Sequence, residues 1–248
     1  MNSASTFECF GLVIHGYVLK RVMTEIQNRI ANREQTWVVT ANPEILLFAK
    51  KHADHWQALR QADLRCVDGF GLKMAGWYKG VNSERCTGVE LADELVEMCL
   101  RNNWTLGLIG GRPEVADKAA WALRRQYPDI KVFAEDGGHL TIDGHMDEKA
   151  EASLTRMVEI EPDVLLAAYG HPKQDFWISQ HRNQFPRTKV IIGVGGTLDF
   201  WSGMAKRAPK WIRAVGFEWL YRLINEPWRW RRIWHALVSF PLAVIFDK

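Results

Sequence analysis

The stretch "TWVVTANPEILLFAKKH", residues 36–52, sets an apolar strand directly before a helix. Pro43 suits the first turn of that helix, because its missing N–H needs no partner there. Apolar runs and helix-like segments go on alternating to about residue 202. This alternation predicts an α/β domain with a Rossmann-like, mostly parallel sheet flanked by helices.

Outward from this unit, five further apolar runs predict strands, whose order in the sheet does not follow from the pattern. The runs are "LRCVDG" (64–69), "WTLGLIGG" (104–111), "IKVFAEDGG" (130–138), "PDVLLAAYG" (162–170) and "KVIIGVGG" (189–196). The third of them is a strand or a turn. Between the first two lies "TGVELADELVEMCLRN", which predicts an amphipathic helix. Thr87 would be its N-cap, and Glu90 would complete a capping box.

Composition and charge divide the chain in two. Its 248 residues are 47% hydrophobic and 25% charged, which is typical of a globular protein. The net charge is +3, yet residues 206–248 hold nine lysines and arginines against three acids, and five of the twelve tryptophans. We therefore predict an α/β domain over residues 1–205 and a basic, Trp-rich helical appendage over residues 206–248.

The cysteines and the first residues bear on compartment and cofactors. The four cysteines share no metal-type spacing, and no histidine pair stands beside them. The start of the chain lacks a basic segment followed by a long apolar run. We therefore expect a reducing cytosol, no zinc site and no cofactor.

The appendage predicts contact with a membrane surface. Arg222, Arg229 and Arg232 are spaced by seven and three, which places them on one face of a helix, although Pro227 interrupts it. Tryptophan and arginine together suit an anionic membrane interface, and no run is long enough to cross the bilayer. A solvated basic face is the simpler alternative. Packing on a second copy of the chain, as a homo-oligomer, is another.

Polar and glycine residues gather where the predicted strands end. Ligands of open α/β sheets bind at that edge, where glycines admit backbone N–H groups and helix N-termini favour phosphate. Each glycine pair alone is more typical of a tight turn, and neither a GxGxxG nor a P-loop spacing is present. Five such ends together favour a phosphorylated ligand. The residues are Thr40, Asn42, Asp68, Gly110, Gly111, Lys173, Gln174, Gly195 and Gly196.

Several of these side chains also have a plainer interpretation. Asp68 precedes a helix and would serve as its N-cap, or it would present a carboxylate to a ligand that Gly69 and Gly71 leave room for. Four other residues have plainer roles: a surface arginine, a loop histidine, a solvated surface lysine and a glutamine that starts a helix. These are Arg85, His171, Lys173 and Gln174.

Seven motifs resemble, in order, the successive blocks of the WecG/TagA/CpsF glycosyltransferases. They are "TANPE", "VDGFG", "RCTGVEL", "LIGGRPEV", "GHPKQDFW", "GVGGTLDFWSG" and "RAPKWIRAVGFEWLYRLINEP". The resemblance implies an inverting transferase that moves N-acetylmannosamine or a related sugar from a UDP-sugar. The acceptor would be N-acetylglucosamine on undecaprenyl diphosphate at the inner face of the cell membrane. The product would enter surface polysaccharide or teichoic acid.

The resemblance also assigns roles to residues of this chain. It implies that Asp68 is the catalytic base and that Asp199 helps to form the nucleotide end of the site. It further implies polar active-site residues at Thr40, Asn42, Arg85 and Gln174, and diphosphate-closing arginines at Arg222, Arg229 and Arg232. His171 stands where many relatives have a small residue, and "VDGFG" replaces the more usual Ala-Asp-Gly-Ile-Gly form. The donor therefore stays open among UDP-N-acetylmannosamine, its uronate, UDP-glucose and UDP-glucuronate.

Metal independence is expected, because the sequence has no DxD motif. The nearest substitute, Glu161-Pro162-Asp163, leads into a strand and so lies at the wrong edge of the sheet. An oxidoreductase would need the absent GxGxxG turn. A non-catalytic module that binds membrane or nucleic acid leaves the glycine-rich edge unexplained, and the slightly acidic residues 1–205 argue against nucleic acid.

Overall fold

An eight-stranded sheet forms the centre of the computed structural model, which describes residues 5–209, 212, 218–225 and 230–247. The strands are β1 (Thr6–Cys9), β2 (Leu12–His15), β3 (Thr36–Ala41), β4 (Leu64–Val67), β5 (Thr105–Ile109), β6 (Lys131–Glu135), β7 (Val164–Ala167) and β8 (Val190–Gly193). Their order is β1-β2-β4-β3-β8-β7-β5-β6. Only the β1–β2 hairpin is antiparallel. The predicted α/β fold with a mostly parallel sheet is confirmed.

Helices cover both faces of the sheet. They are α1 (Leu19–Ala31), α2 (Pro43–Lys51), α3 (Ala53–Arg60), α4 (Phe70–Tyr78), α5 (Gly88–Asn102), α6 (Val115–Gln126), α7 (Glu148–Ile160), α8 (Lys173–His181), α9 (Thr197–Trp201), α10 (Glu218–Asn225), α11 (Trp230–Trp234) and α12 (Phe240–Ile245). A π-helical turn, His235–Ser239, joins the last two. Within the described residues, no helix is long and apolar enough to span a bilayer.

Each face of the sheet has its own apolar core. Successive residues of a strand point to opposite faces, so Trp37 belongs to the cluster under α2, α4 and α8, and Val38 to the cluster under α1, α5 and α6. All six residues of β3 are buried. Continuous apolar runs such as this one are what a parallel sheet covered on both faces requires.

Two helix starts follow the local sequence closely. Asn42 caps α2, because its Oδ1 accepts the N–H groups of Glu44 and Ile45, each at 3.0 Å. Thr87 caps α5 as predicted, with its Oγ1 3.3 Å from the N–H of Glu90. The carboxylate of Glu90 lies 3.3 Å from Arg207. Both caps fix where a helix leaves the carboxyl edge of the sheet.

The last helix packs against the core of the α/β domain, although the predicted appendage contains it. Phe240 and Val244 of α12 are buried in the cluster that contains Trp37. The Phe240 ring lies edge-on to Phe10 at 5.9 Å, and Asp247 accepts the N–H of Phe10 at 3.2 Å. Spacing by four residues puts the two apolar side chains of α12 on one face, so this part of the appendage completes the α/β domain.

His15 at the end of β2 makes stability depend on pH. Its Nδ1 accepts the N–H of Arg65 at 3.1 Å, while burial and then the charge of Arg65 lower its pKa to about 4. In the unfolded chain the pKa of His15 is close to the ordinary histidine value of 6.5. The neutral ring therefore stabilises the fold fully above the pKa that His15 has in the unfolded chain. This stabilisation is lost as the pH falls toward the pKa that His15 has in the folded protein.

We expect protonation of His15 to lower the free energy of unfolding by on the order of 2 kcal/mol, after allowing for the partial exposure of the ring. His15→Asn keeps an acceptor for Arg65 without a titrating ring, so it should lose that part of the pH dependence. Urea unfolding of both proteins across the window from about pH 7 to about pH 4 measures the difference. Parallel stability curves would contradict the assignment.

Candidate active site

The parallel strands bring the predicted polar residues to one edge of the sheet. Ala41 of β3 pairs with Val67 of β4, and Ala167 of β7 pairs with both Ile109 of β5 and Gly193 of β8. The segments that follow these strands therefore start at the same level. The structure divides them into a cleft over β5, β7 and β8 and a group around the ends of β3 and β4.

The cleft has a volume of about 570 Å³. Predicted residues that line it are Gly111, Lys173, Gly195, Gly196 and Asp199, and Gly110 lies directly beside them. Lining residues outside the predicted site set are Arg112, Asp136, His139, Asp147, Lys149 and Tyr169. Three of these, Asp136, His139 and Asp147, stand in the loop between β6 and α7, where the sequence carried no recognisable motif.

Close packing explains the glycines of the cleft wall. Gly110 and Gly111 have φ values of +92° and +98°, which side chains rarely adopt. A Cβ on Gly110 would stand 3.0 Å from the Tyr169 ring, and one on Gly137 would stand 2.7 Å from it. The glycines thus let Tyr169 fill the wall, and burial raises the pKa of its phenol.

Each carboxylate that lines the cleft already has a partner. Asp199 accepts from Arg112 at 2.7 Å, and Asp136 accepts from Lys149 at 2.8 Å. Asp147 accepts two backbone N–H groups, which lower its pKa. The carboxylates therefore hold two basic side chains and one loop in position, and they do not form a free acidic cluster.

The start of α8 contributes one cation and one buried amide. Lys173 donates from Nζ to the carbonyl oxygen of Leu140 at 3.0 Å, and this neutral partner leaves its charge available to an anion. Gln174 is buried, and its Oε1 accepts the N–H of Gly195 at 3.0 Å. Gln174 therefore holds the glycine turn after β8 in place. The sequence did not distinguish this role from direct contact with a ligand.

Asp68 directly follows β4, and its N–H donates to the carbonyl of Ala41 at 2.7 Å. The N-cap position of α4 is Gly69, at φ +88°, so Asp68 is not the N-cap residue. Among the described residues, a Cβ on Gly69 would meet only Pro43, at 3.9 Å, so the position next to Asp68 in the chain is not crowded.

Gly71 lies at a close contact between α4 and the π-helical turn. A Cβ there would stand 2.5 Å from the carbonyl oxygen of Ala236 and 2.9 Å from Pro43. The expectation that Gly71 leaves room for a ligand is therefore wrong. The missing side chain instead lets the π-helical turn lie directly on α4, because backbone cannot approach so closely over a larger residue.

Thr40, Asn42 and Arg85 surround the same strand ends. The N–H of Cys86 donates to Val67 at 2.8 Å, which places Arg85 beside the end of β4. A hydrogen bond to Cys66, burial and the nearby charge of Asp68 raise the pKa of the Cys86 thiol. Thr40 is buried next to the start of α5. The structure thus groups these residues near Asp68, with Asn42 also capping α2.

The predicted appendage arginines cannot be placed in the site. Arg229 lies outside the described residues. Arg222 is in α10 and Arg232 in α11, but their side chains also lie outside the described part. Their closure over a diphosphate stays a prediction.

Glu161 and Asp163 lie at the amino edge of the sheet, as predicted. Asp163 accepts the N–H of Thr105 at 2.8 Å and pairs with Lys189, and Glu161 pairs with Arg187. Both carboxylates fasten strand ends on the side away from the cleft. They have no access to a ligand bound at the carboxyl edge.

Comparison with known proteins decides the family. The model of the glycosyl transferase WecG/TagA/CpsF family matches residues 7–248. The chain belongs to the WecG/TagA/CpsF family. It is similar to N-acetylglucosaminyldiphosphoundecaprenol N-acetyl-beta-D-mannosaminyltransferases of Staphylococcus aureus strains MRSA252 and MW2. Each is 32% identical over 244 residues, which cover 97% of this chain and 91% of the relative. Membership in this family makes the protein a glycosyltransferase, as the order of the motifs predicted.

Proposed function

We propose that the protein transfers N-acetyl-β-D-mannosamine from a UDP-sugar to N-acetylglucosamine carried on undecaprenyl diphosphate. The single observation that carries this proposal is the place of Asp68 directly after β4, at the same sheet edge as the glycine-lined cleft. The names of the similar S. aureus enzymes support the sugar and the acceptor. UDP-N-acetylmannosaminuronate, UDP-glucose and UDP-glucuronate are the alternative donors.

The cleft suits the UDP portion of the donor. Its volume of about 570 Å³ falls within the usual range for small-molecule sites. The helices α6 and α8 start at its rim, and helix N-termini favour phosphate. Lys173 adds a cation whose contact within the protein is with a neutral carbonyl. Arg112 is largely exposed and could exchange Asp199 for a phosphate.

Asp68 suits the role of general base in a single inverting displacement. The acceptor hydroxyl loses its proton to the carboxylate as its oxygen bonds to the anomeric carbon, and the bond from that carbon to UDP breaks. General-base catalysis typically contributes ~10²–10⁴ in rate. Gly69 leaves the approach to the carboxylate clear of a side chain.

We further propose that transfer needs no metal ion. The departing UDP gains negative charge, which positive side chains can stabilise. Lys173 and Arg112 are available in the cleft, and Arg222, Arg229 and Arg232 are expected to close over it. The paired state of the cleft carboxylates supports this arrangement, since a metal would have to displace their partners.

We propose that the protein acts as a peripheral enzyme at the inner face of the cell membrane, through residues 206–248. Large apolar side chains are exposed in this segment, at Ile224, Trp230, Trp234, Leu242 and Phe246. Trp rings and basic residues bind anionic interfaces, at about 1 kcal/mol for each basic residue near the surface. Packing against a second copy would use the same side chains.

Acceptor-dependent UDP release from UDP-N-acetylmannosamine, with EDTA present, tests the proposal. The acceptor is a short-chain lipid diphosphate carrying N-acetylglucosamine. Gly196→Leu should suppress release, because its φ of −78° tolerates a side chain that would fill the cleft. Arg101→Leu adds the same side chain at the exposed far end of α5 and is the control. Release without acceptor, or none with any of the four donors, would contradict the proposal.

A further inference from the structure

A buried His–Asp–His cluster lies behind the cleft. Asp175 in the first turn of α8 is 1% exposed, and its Oδ2 lies 2.9 Å from Nε2 of His55 and 3.1 Å from Nδ1 of His171. His55 comes from α3 and is fully buried. None of the three residues lines the cleft. The cluster therefore joins a remote helix to the turn that leads into α8.

An ionised carboxylate accounts for this arrangement. Burial raises the pKa of Asp175, but the hydrogen bonds and charges of His171 and His55 outweigh it and hold the pKa below its ordinary value. A buried, unpaired carboxylate would cost several kcal/mol. Losing one histidine partner would therefore shift Asp175 and the first turn of α8 that carries it.

Three consecutive residues of α8 fasten its first turn to three different segments. Lys173 binds Leu140 in the loop after β6, Gln174 binds Gly195 in the turn after β8, and Asp175 binds His55 in α3. The first two of these segments line the cleft. Only the third contact ties the turn to a part of the fold away from the ligand.

We propose that His55 and His171 are positioning residues of the donor site, acting through Asp175. They fix the first turn of α8, which sets the position of Lys173 and the Gln174–Gly195 hydrogen bond. The assignment of this cleft to the donor rests on the proposed function. The mechanical coupling from α3 to the turn after β8 does not.

The alternative is a metal ion held by the same three side chains, whose ligand atoms lie close enough together. Histidine ligands usually donate their second ring N–H to a partner. Here Nδ1 of His55 and Nε2 of His171 are buried without one. The Phe48 ring lies 5.2 Å from each imidazole, and Phe176 lies 5.3 Å from His55, so aromatic rings pack directly against the cluster. Hydrogen bonding therefore explains the cluster better.

Two substitutions of His55 separate positioning from packing. His55→Phe keeps an aromatic ring among Phe48 and Phe176 but removes the donor to Asp175. His55→Gln keeps an amide donor close to the place of Nε2. Hydrogen exchange of the segment 193–197 and UDP affinity by calorimetry are the two measurements. We expect faster exchange at Gly195 and about tenfold weaker UDP binding in His55→Phe, with both largely restored in His55→Gln.

Asp163→Asn is the matched control, because it weakens a carboxylate contact at the opposite edge of the sheet. It should lower thermal stability and leave UDP affinity unchanged. Unchanged exchange at Gly195 in His55→Phe would overturn the proposal, and so would equal effects in the two His55 variants. A stoichiometric metal in the purified protein, lost in His55→Phe, would also overturn it. Failure of the wild type to bind UDP would refute the donor assignment, and the exchange data would still decide the coupling.

Discussion

Asp68→Asn is expected to lower acceptor-dependent UDP release by about 10²–10⁴-fold, the usual contribution of a general base. Asparagine keeps the size of the side chain at the end of β4 but cannot take the proton of the acceptor hydroxyl. The loss should appear in kcat, with little change in the KM for the donor, because the donor cleft is lined by other residues. Steady-state kinetics at several pH values measure both.

Asp199→Asn is the control for this experiment. It makes the same chemical change at a carboxylate of the same sheet edge, where Arg112 is the partner at 2.7 Å. It should act mainly on the KM for the donor and leave the dependence of kcat on pH intact. If Asp68→Asn retains the wild-type rate and pH profile, Asp68 is not the base, and another group near Thr40 and Arg85 must take the proton.

Phe240→Ala is expected to lower the free energy of unfolding by about 3–5 kcal/mol, the usual cost of removing a buried phenylalanine ring. Phe240 is fully buried and lies edge-on to Phe10. Phe246→Ala is the matched control, since that ring is 75% exposed and should matter by less than about 0.5 kcal/mol. Denaturant unfolding measures both. Equal, small effects would show that α12 does not belong to the core in solution.

The position of α12 also bears on how the appendage should be studied. The turn before it lies directly on α4, the helix that begins two residues after Asp68. Removing residues 206–248 would therefore expose core and release α4, along with any membrane or diphosphate contact. Substitutions of Trp230 or Trp234, which are exposed, separate these effects better.

Local pattern was sufficient for much of the fold. The alternation that starts at residues 36–52 predicted six strands of the sheet and placed Asp68, Gly110 and Gly195 at one edge, because parallel strands share their carboxyl ends. The spacing of Thr87 and Glu90 predicted the N-cap of α5, which the structure confirms. The ordered motifs indicated the family. The hairpin of β1 and β2 was not predicted, because its two strands follow one another without a helix between them and so lie outside the alternation.

What only the tertiary structure decided are contacts between residues far apart in the chain. Position 71 has no room for a side chain because the backbone of Ala236 lies against it. Gln174 is buried where it accepts the N–H of Gly195. Asp175 meets His55 only because α3 and α8 pack on the same face of the sheet. Periodicity, caps and turns report the conformation of neighbouring residues. Strand order and packing fix which distant segments meet, so they alone could reveal these roles.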